Sequence, residues 1–92
     1  MKAADVPAGH GVTGDLGGRK VAVFNSGETL TVLDNTCTHM GCQTNWDEKD
    51  QVWDCPCHGS RYSSDGSVVR GPAMDPLPPL PYHLADGEIV LD

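Results

Sequence analysis

Ninety-two residues with 38% apolar and 5% aromatic content can bury one small core; chains of this size hide only about 60–65% of their unfolded surface and usually lean on a metal, a disulfide or a partner. Six Lys and Arg against thirteen Asp and Glu leave a formal net charge of −7, which argues against a basic face for nucleic acid and against attraction to anionic membranes. The longest apolar run is Val21–Phe24, far too short to span a bilayer, and Met1–Asp5 lacks the apolar stretch of a secretion signal.

Eleven Gly and seven Pro are high for a helical protein, and no stretch repeats apolar residues at helical spacing for three turns. Short β-rich runs appear instead. Val21–Phe24 and Thr29–Leu33 flank Asn25-Ser26-Gly27-Glu28, a hairpin signal. Val52–Cys55 and Ser60–Ser63 flank a cysteine-bearing segment. Ser64-Asp65-Gly66-Ser67 is a turn before Val68–Arg70. His83-Leu84 and Glu88–Leu91 bracket the turn Ala85-Asp86-Gly87. Gly71–Pro81 holds five of the seven prolines and reads as a stiff surface connector. The expected fold is all-β, a small antiparallel β-sandwich or barrel. No repeat or linker divides it, so residues 1–92 are expected to form one soluble domain.

All four cysteines and two of the four histidines fall within residues 37–58, as Cys37-Thr38-His39-Met40-Gly41-Cys42 and Cys55-Pro56-Cys57-His58-Gly59-Ser60. Each block has an outer Cys, a His two or three places on, and one further Cys. Clustering this tight points to metal or cluster ligation. A structural zinc site could take two Cys and two His. Two plain disulfides would leave the paired histidines unexplained. A [2Fe–2S] cluster with two Cys on one iron and two His on the other uses both residue types. Zinc fingers group like ligands together, whereas each block here mixes Cys with His. That mixing suits a dinuclear cluster, because each loop can reach both irons.

C-T-H-x-G-C, then twelve residues, then C-P-C-H-G-S resembles the two-box signature of Rieske iron–sulfur proteins. The likeness extends to Trp46, Gly59-Ser60-Arg61-Tyr62, the Asp65-Gly66 turn and Val68-Val69-Arg70-Gly71-Pro72-Ala73. It covers residues 36–73 closely. It is similar to the high-potential branch of quinol–cytochrome oxidoreductases and to Rieske domains of flavin-dependent oxidoreductases. The resemblance implies a cluster-binding subdomain of loops, about residues 36–73, at one tip of the fold. It implies one [2Fe–2S] cluster per chain, with Cys37 and Cys55 on one iron and His39 and His58 on the other. It implies a disulfide between Cys42 and Cys57, a pair that ring-hydroxylating Rieske ferredoxins and oxygenases lack.

In high-potential members the residue matching Ser60 bonds a bridging sulfide, and the one matching Tyr62 bonds a ligand thiolate, here Cys37. Gly71-Pro72 resembles the proline loop covering the cluster, and Met40, Gly41, Gly59 and Pro72 match the surface that docks on a partner. Met40 departs from the family's usual Leu; it is apolar but more flexible and oxidisable. Neutral imidazoles in place of two thiolates make the cluster less negative, which favours reduction; Rieske centres span about −150 to +300 mV, against about −400 mV for plant-type ferredoxins. A ligand His can also titrate, which would couple a proton to the electron.

The expected function is one-electron transfer from a redox protein or a quinol or flavin donor to a cytochrome-like or other acceptor. The alternative is a zinc-binding structural or interaction module. Membrane-bound members carry an anchor and a hinge, neither of which is found in these residues, and no substrate turnover is expected of this chain by itself. His10 and His83 lack ligand-like company and read as surface residues. Trp46 and Trp53 read as core.

Overall fold

The hairpin signalled by Asn25–Glu28 pairs a strand at Arg19–Asn25 with one at Leu30–Asp34, in the register Ala22↔Leu33 and Val23↔Val32. The computed structural model describes residues 1–36, 41–57 and 59–92; Cys37, His39, Met40 and His58 lie outside the described residues. A preceding strand, Gly11–Leu16, joins the hairpin antiparallel through the two-residue turn Gly17-Gly18, both at positive φ. These are β1, β2 and β3, a three-stranded sheet in that order. The sequence gives no clear signal for β1, because Gly11 and Gly14 break its pattern. Gly11 is required by packing: a Cβ there would lie 2.6 Å from Cδ2 of the Trp46 ring.

A second antiparallel sheet runs in the order β4 (Asn45–Asp47), β5 (Val52–Asp54), β6 (Arg61–Tyr62), β7 (Val68–Arg70). Its register sets Trp46 opposite Trp53, and Trp53 opposite Tyr62. A third sheet is the expected C-terminal hairpin, β8 (Tyr82–Ala85) and β9 (Glu88–Leu91), turned at Asp86-Gly87. Near the N-terminus a single 3-10 turn spans Ala3–Asp5, and the backbone N–H of Ile89 donates to the Met1 carbonyl at 2.9 Å.

Strand β2 explains how these sheets stack. Successive strand residues face opposite sides, and Val21, Ala22 and Val23 are all fully buried. Val21 and Val23 pack with Val6, Val32 and Ile89 on one side. Ala22 and its partner Leu33 pack with Trp53, Cys55, Tyr62, Ala73 and Leu77 on the other. The β1–β3 sheet therefore has a hydrophobic cluster on each face, and Cys55 belongs to the one built with β4–β7. Phe24 and Trp46 extend that cluster, the Trp46 ring centroid lying 5.1 Å from that of Phe24 and 4.8 Å from that of Trp53.

The proline-rich stretch is more than a surface connector. Its prolines are exposed, but Leu77 is fully buried, and the segment runs along the free edge of β3. The Asp34 N–H donates to the Pro78 carbonyl at 2.8 Å, and the Leu80 N–H donates to the Val32 carbonyl at 2.8 Å. Proline has no N–H to give but keeps its carbonyl, so such a strap suits a sheet edge.

Candidate metal centre

The second cysteine block sits between two strands that pair directly. Beyond the Asp54↔Arg61 pair, the Cys55 N–H donates to the Ser60 carbonyl at 2.8 Å, and the Gly59 N–H returns to the Cys55 carbonyl at 3.1 Å. Gly59 has φ of +80°, in the left-handed region that the tight return demands. The two ends of the loop, Cys55 and Ser60, are buried, while Pro56 and Cys57 are exposed.

Cys42 and Cys57 form a disulfide, with Cα atoms 6.5 Å apart. This is the pairing that the resemblance implied. The sulfurs of Cys42, Cys55 and Cys57 lie within 4.8 Å of one another. Two of those three are spent in the S–S bond, so they cannot serve as thiolate ligands. Among the described residues that leaves Cys55, which is buried, as the cysteine whose sulfur could serve as a thiolate ligand.

A third segment closes over the same place. The N–H of Ala73, the residue that follows the cis Gly71–Pro72 peptide, donates to Oγ of Ser60 at 3.0 Å. The Ser60 oxygen thus accepts a bond from the proline loop, and its own O–H remains to be donated. Tyr62 is fully buried beside Cys55 and Trp53, so it is a core aromatic whatever its hydroxyl contributes. Gly41 and Pro72 are exposed, and so is Met74, at 90%.

Sequence reasoning missed the base of the first loop. Asn35 and Thr44 are each 1% exposed, and the Asn35 Oδ1 accepts from the Thr44 N–H at 2.9 Å and from its hydroxyl at 2.5 Å. A polar residue on each flank of a cysteine block was the only available signal.

Charge near the β4–β5 turn is also organised. The Arg61 guanidinium bonds Asp50 at 2.9 Å, Asp47 at 3.2 Å and Asp54 at 3.3 Å. The bond to Asp50 leads in raising the Arg61 pKa above its ordinary value. His10 pairs with Glu48 at 2.7 Å and His83 with Asp92 at 2.6 Å, both half-exposed, in keeping with surface roles.

The whole constellation from residue 1 to residue 81 matches one family model, the Rieske [2Fe-2S] domain. The chain belongs to the Rieske family. It is 42% identical over 89 residues to the cytochrome b6-f complex iron-sulfur subunit of Chlorobaculum tepidum, covering 97% of this chain and 49% of that subunit. It is 45% identical over 75 residues to the Rieske 2Fe-2S iron-sulfur protein YhfW of Bacillus subtilis, covering 79% of this chain and 14% of YhfW. This Rieske chain thus spans less than half the length of either relative. The plasma membrane Rieske protein PetC3 of Synechocystis superposes with a TM-score of 0.74 at 33% identity, over 89% of this chain and 85% of that one.

The described residues fit the [2Fe–2S] group for which the family is named. A buried Cys55 sulfur lies within 4.8 Å of a disulfide tying one cysteine block to the other, and the buried Ser60 hydroxyl oxygen at the end of the second block accepts from the Ala73 N–H. No helix among the described residues is long and apolar enough to cross a membrane.

Proposed function

We propose that this Rieske chain is a one-electron carrier, with Cys37 and Cys55 holding one iron of the cluster and His39 and His58 the other. The observation that supports it most is the Cys55 sulfur, buried within 4.8 Å of a disulfide that links the two cysteine blocks. The bound cluster supplies a site that takes and releases one electron. The chain's own residues do the rest. Cys55 is fixed at its backbone by Ser60 and Gly59, which holds the buried sulfur in place. The Ser60 O–H is directed by the Ala73 N–H and can donate to a sulfide. Tyr62, locked in the core, can donate to the Cys37 thiolate. Both donations favour the more negative, reduced state.

Residues 36–73 act as the cluster-binding subdomain of a single domain. Met40, Gly41, Gly59 and Pro72 form the docking surface. The donor is a quinol, a flavin or a redox protein, and the acceptor is cytochrome-like; the naming of one relative as a cytochrome b6-f subunit supports this assignment.

The test is compositional and electrochemical. Purified protein should contain two irons and two acid-labile sulfides per chain, absorb in the visible, and bleach reversibly on taking up one electron. Colourless protein with stoichiometric zinc would overturn the reading in favour of a zinc module.

A further inference from the structure

We propose that Asn35 and Thr44 form a lock that positions the first ligand loop, residues 36–43, and does so independently of the disulfide. The proposal rests on the ligand assignment above, since Cys37 and His39 belong to that loop.

Asn35 follows the last residue of β3, and Thr44 precedes the first residue of β4. These strands lie in different sheets and are not hydrogen-bonded neighbours, so no strand pairing closes the loop between them. Side chains close it instead. Oδ1 of Asn35 accepts from the Thr44 N–H at 2.9 Å and from the Thr44 hydroxyl at 2.5 Å, and Nδ2 donates to the Thr44 carbonyl at 3.3 Å. Both ends of the amide are thus engaged by one residue, and a flipped amide would face donor with donor. The Asn35 N–H donates to the Lys20 carbonyl at 3.0 Å, which anchors the lock to β2. Both residues are 1% exposed, so water cannot replace the bonds if they break.

Among the described residues two restraints act at the ends of loop 36–43. The Asn35–Thr44 lock closes its base, and Cys42–Cys57 ties its far part to the second block. Asn35 and Thr44 are positioning residues: they act on the metal site through the backbone that carries Cys37 and His39.

The experiment uses the holoprotein, four single variants and the disulfide variant Cys42→Ser, Cys57→Ser with and without Thr44→Val. Thr44→Val deletes the hydroxyl while keeping size and backbone bonds, Asn35→Leu deletes the lock, and Thr44→Ser restores the hydroxyl. Val6→Ala, in the other hydrophobic cluster, serves as a control of lowered Tm. Cluster loss is followed by bleaching at one temperature, and low-temperature EPR line widths report the spread of ligand geometries. Thr44→Val should lose its cluster about five- to tenfold faster, as expected for one buried hydrogen bond, with broadened EPR lines. Asn35→Leu should exceed it, and Thr44→Ser should behave as wild type. Val6→Ala should keep narrow lines. Combining Thr44→Val with Cys42→Ser and Cys57→Ser should accelerate loss by about the product of the separate factors, as for independent restraints.

Unchanged line widths in Thr44→Val, with loss no faster than in Val6→Ala, would overturn the proposal. Hydrogen exchange keeps the two ideas separate. Failure of the wild type to bind iron would sink the ligand assignment, whereas a protected Thr44 amide, released together with loop 36–43 by Thr44→Val, would still show the lock. Fast exchange at Thr44 in wild type would sink the lock alone.

Discussion

Ser60 and Ala73 are joined by a bond of 3.0 Å from the Ala73 N–H to the Ser60 Oγ, which ties the proline loop to the second cysteine block. Because the oxygen is occupied as an acceptor, the hydroxyl proton is aimed away from Ala73. One buried side chain thus fixes the segment that follows Pro72 and keeps its own O–H available beside the second cysteine block.

Ser60→Ala should therefore lower the midpoint potential while the cluster still assembles. A hydrogen bond to a charged acceptor contributes about 1.5–3 kcal/mol, and only its difference between redox states counts. If that difference is about 1.4 kcal/mol, the one-electron potential falls by about 60 mV. Tyr62→Phe should shift it in the same direction. Ser60→Ala alone should also lower Tm, because it leaves the buried Ala73 N–H without its acceptor, at a cost of about 1–3 kcal/mol. Protein-film voltammetry and a thermal melt read the two effects; unchanged potentials in both variants would show that neither hydroxyl reaches the cluster.

Peptide mass spectrometry under non-reducing conditions should recover Cys42 linked to Cys57. The bridge spans a sequence separation of 15 residues. In the chain-entropy account a loop of that size is worth about 3 kcal/mol. The double variant Cys42→Ser, Cys57→Ser should lose about that much in a denaturant titration. Recovery of a Cys37–Cys55 link from holoprotein would reverse the ligand assignment.

Gly66 is constrained twice. Its φ is +93°, and a Cβ would sit 2.8 Å from the Leu77 carbonyl oxygen. That same carbonyl's residue donates its N–H to the Gly66 carbonyl at 2.9 Å, so neither backbone can retreat without breaking the bond. Gly66→Ala should cost at least about 2 kcal/mol, a fall in Tm of roughly 8 °C or more for a chain of this size. Gly17→Asn is the contrast: φ is +60° with open space around it, and Asn tolerates that conformation, so little change is expected.

The sequence was legible where local chemistry decides structure. The turns at Gly27, Gly66 and Gly87 are where glycine and its polar neighbours put them, each at positive φ. The mixed Cys and His blocks identified the metal chemistry through residue type and spacing. Strand β1 was not legible, because Gly11 is small on account of Trp46, a residue thirty-five positions away. Strand β4 is three residues long and recognisable only through its partner, Trp46 opposite Trp53. The strap Pro76–Pro81 looked like a connector because its prolines cannot donate; what they accept depends on the β3 edge. Asn35 and Thr44 read as ordinary polar residues until their burial against each other is seen.

Acid sensitivity should trace in part to Asp65. The Ser63 hydroxyl donates to its carboxylate, as does the Ser67 N–H at 3.0 Å, and these bonds, the first foremost, hold its pKa below the ordinary carboxylate value. A folded-state pKa below the unfolded one means that the stabilisation is fully present above about pH 4 and is lost as pH falls through the folded value. Asp65→Asn keeps an oxygen acceptor but cannot titrate. Its stability, measured as the urea midpoint between pH 6 and pH 2.5, should be lower than wild type at pH 6 and should converge on wild type at the acid end. Asp15 is depressed in the same sense by Lys20 and the Gly18 N–H, so Asp65→Asn should remove only part of the slope and Asp15→Asn a further part. A curve for Asp65→Asn running parallel to wild type over the whole range would show that this carboxylate has the same proton affinity folded and unfolded. The Ser63–Asp65–Ser67 turn would then owe nothing to charge.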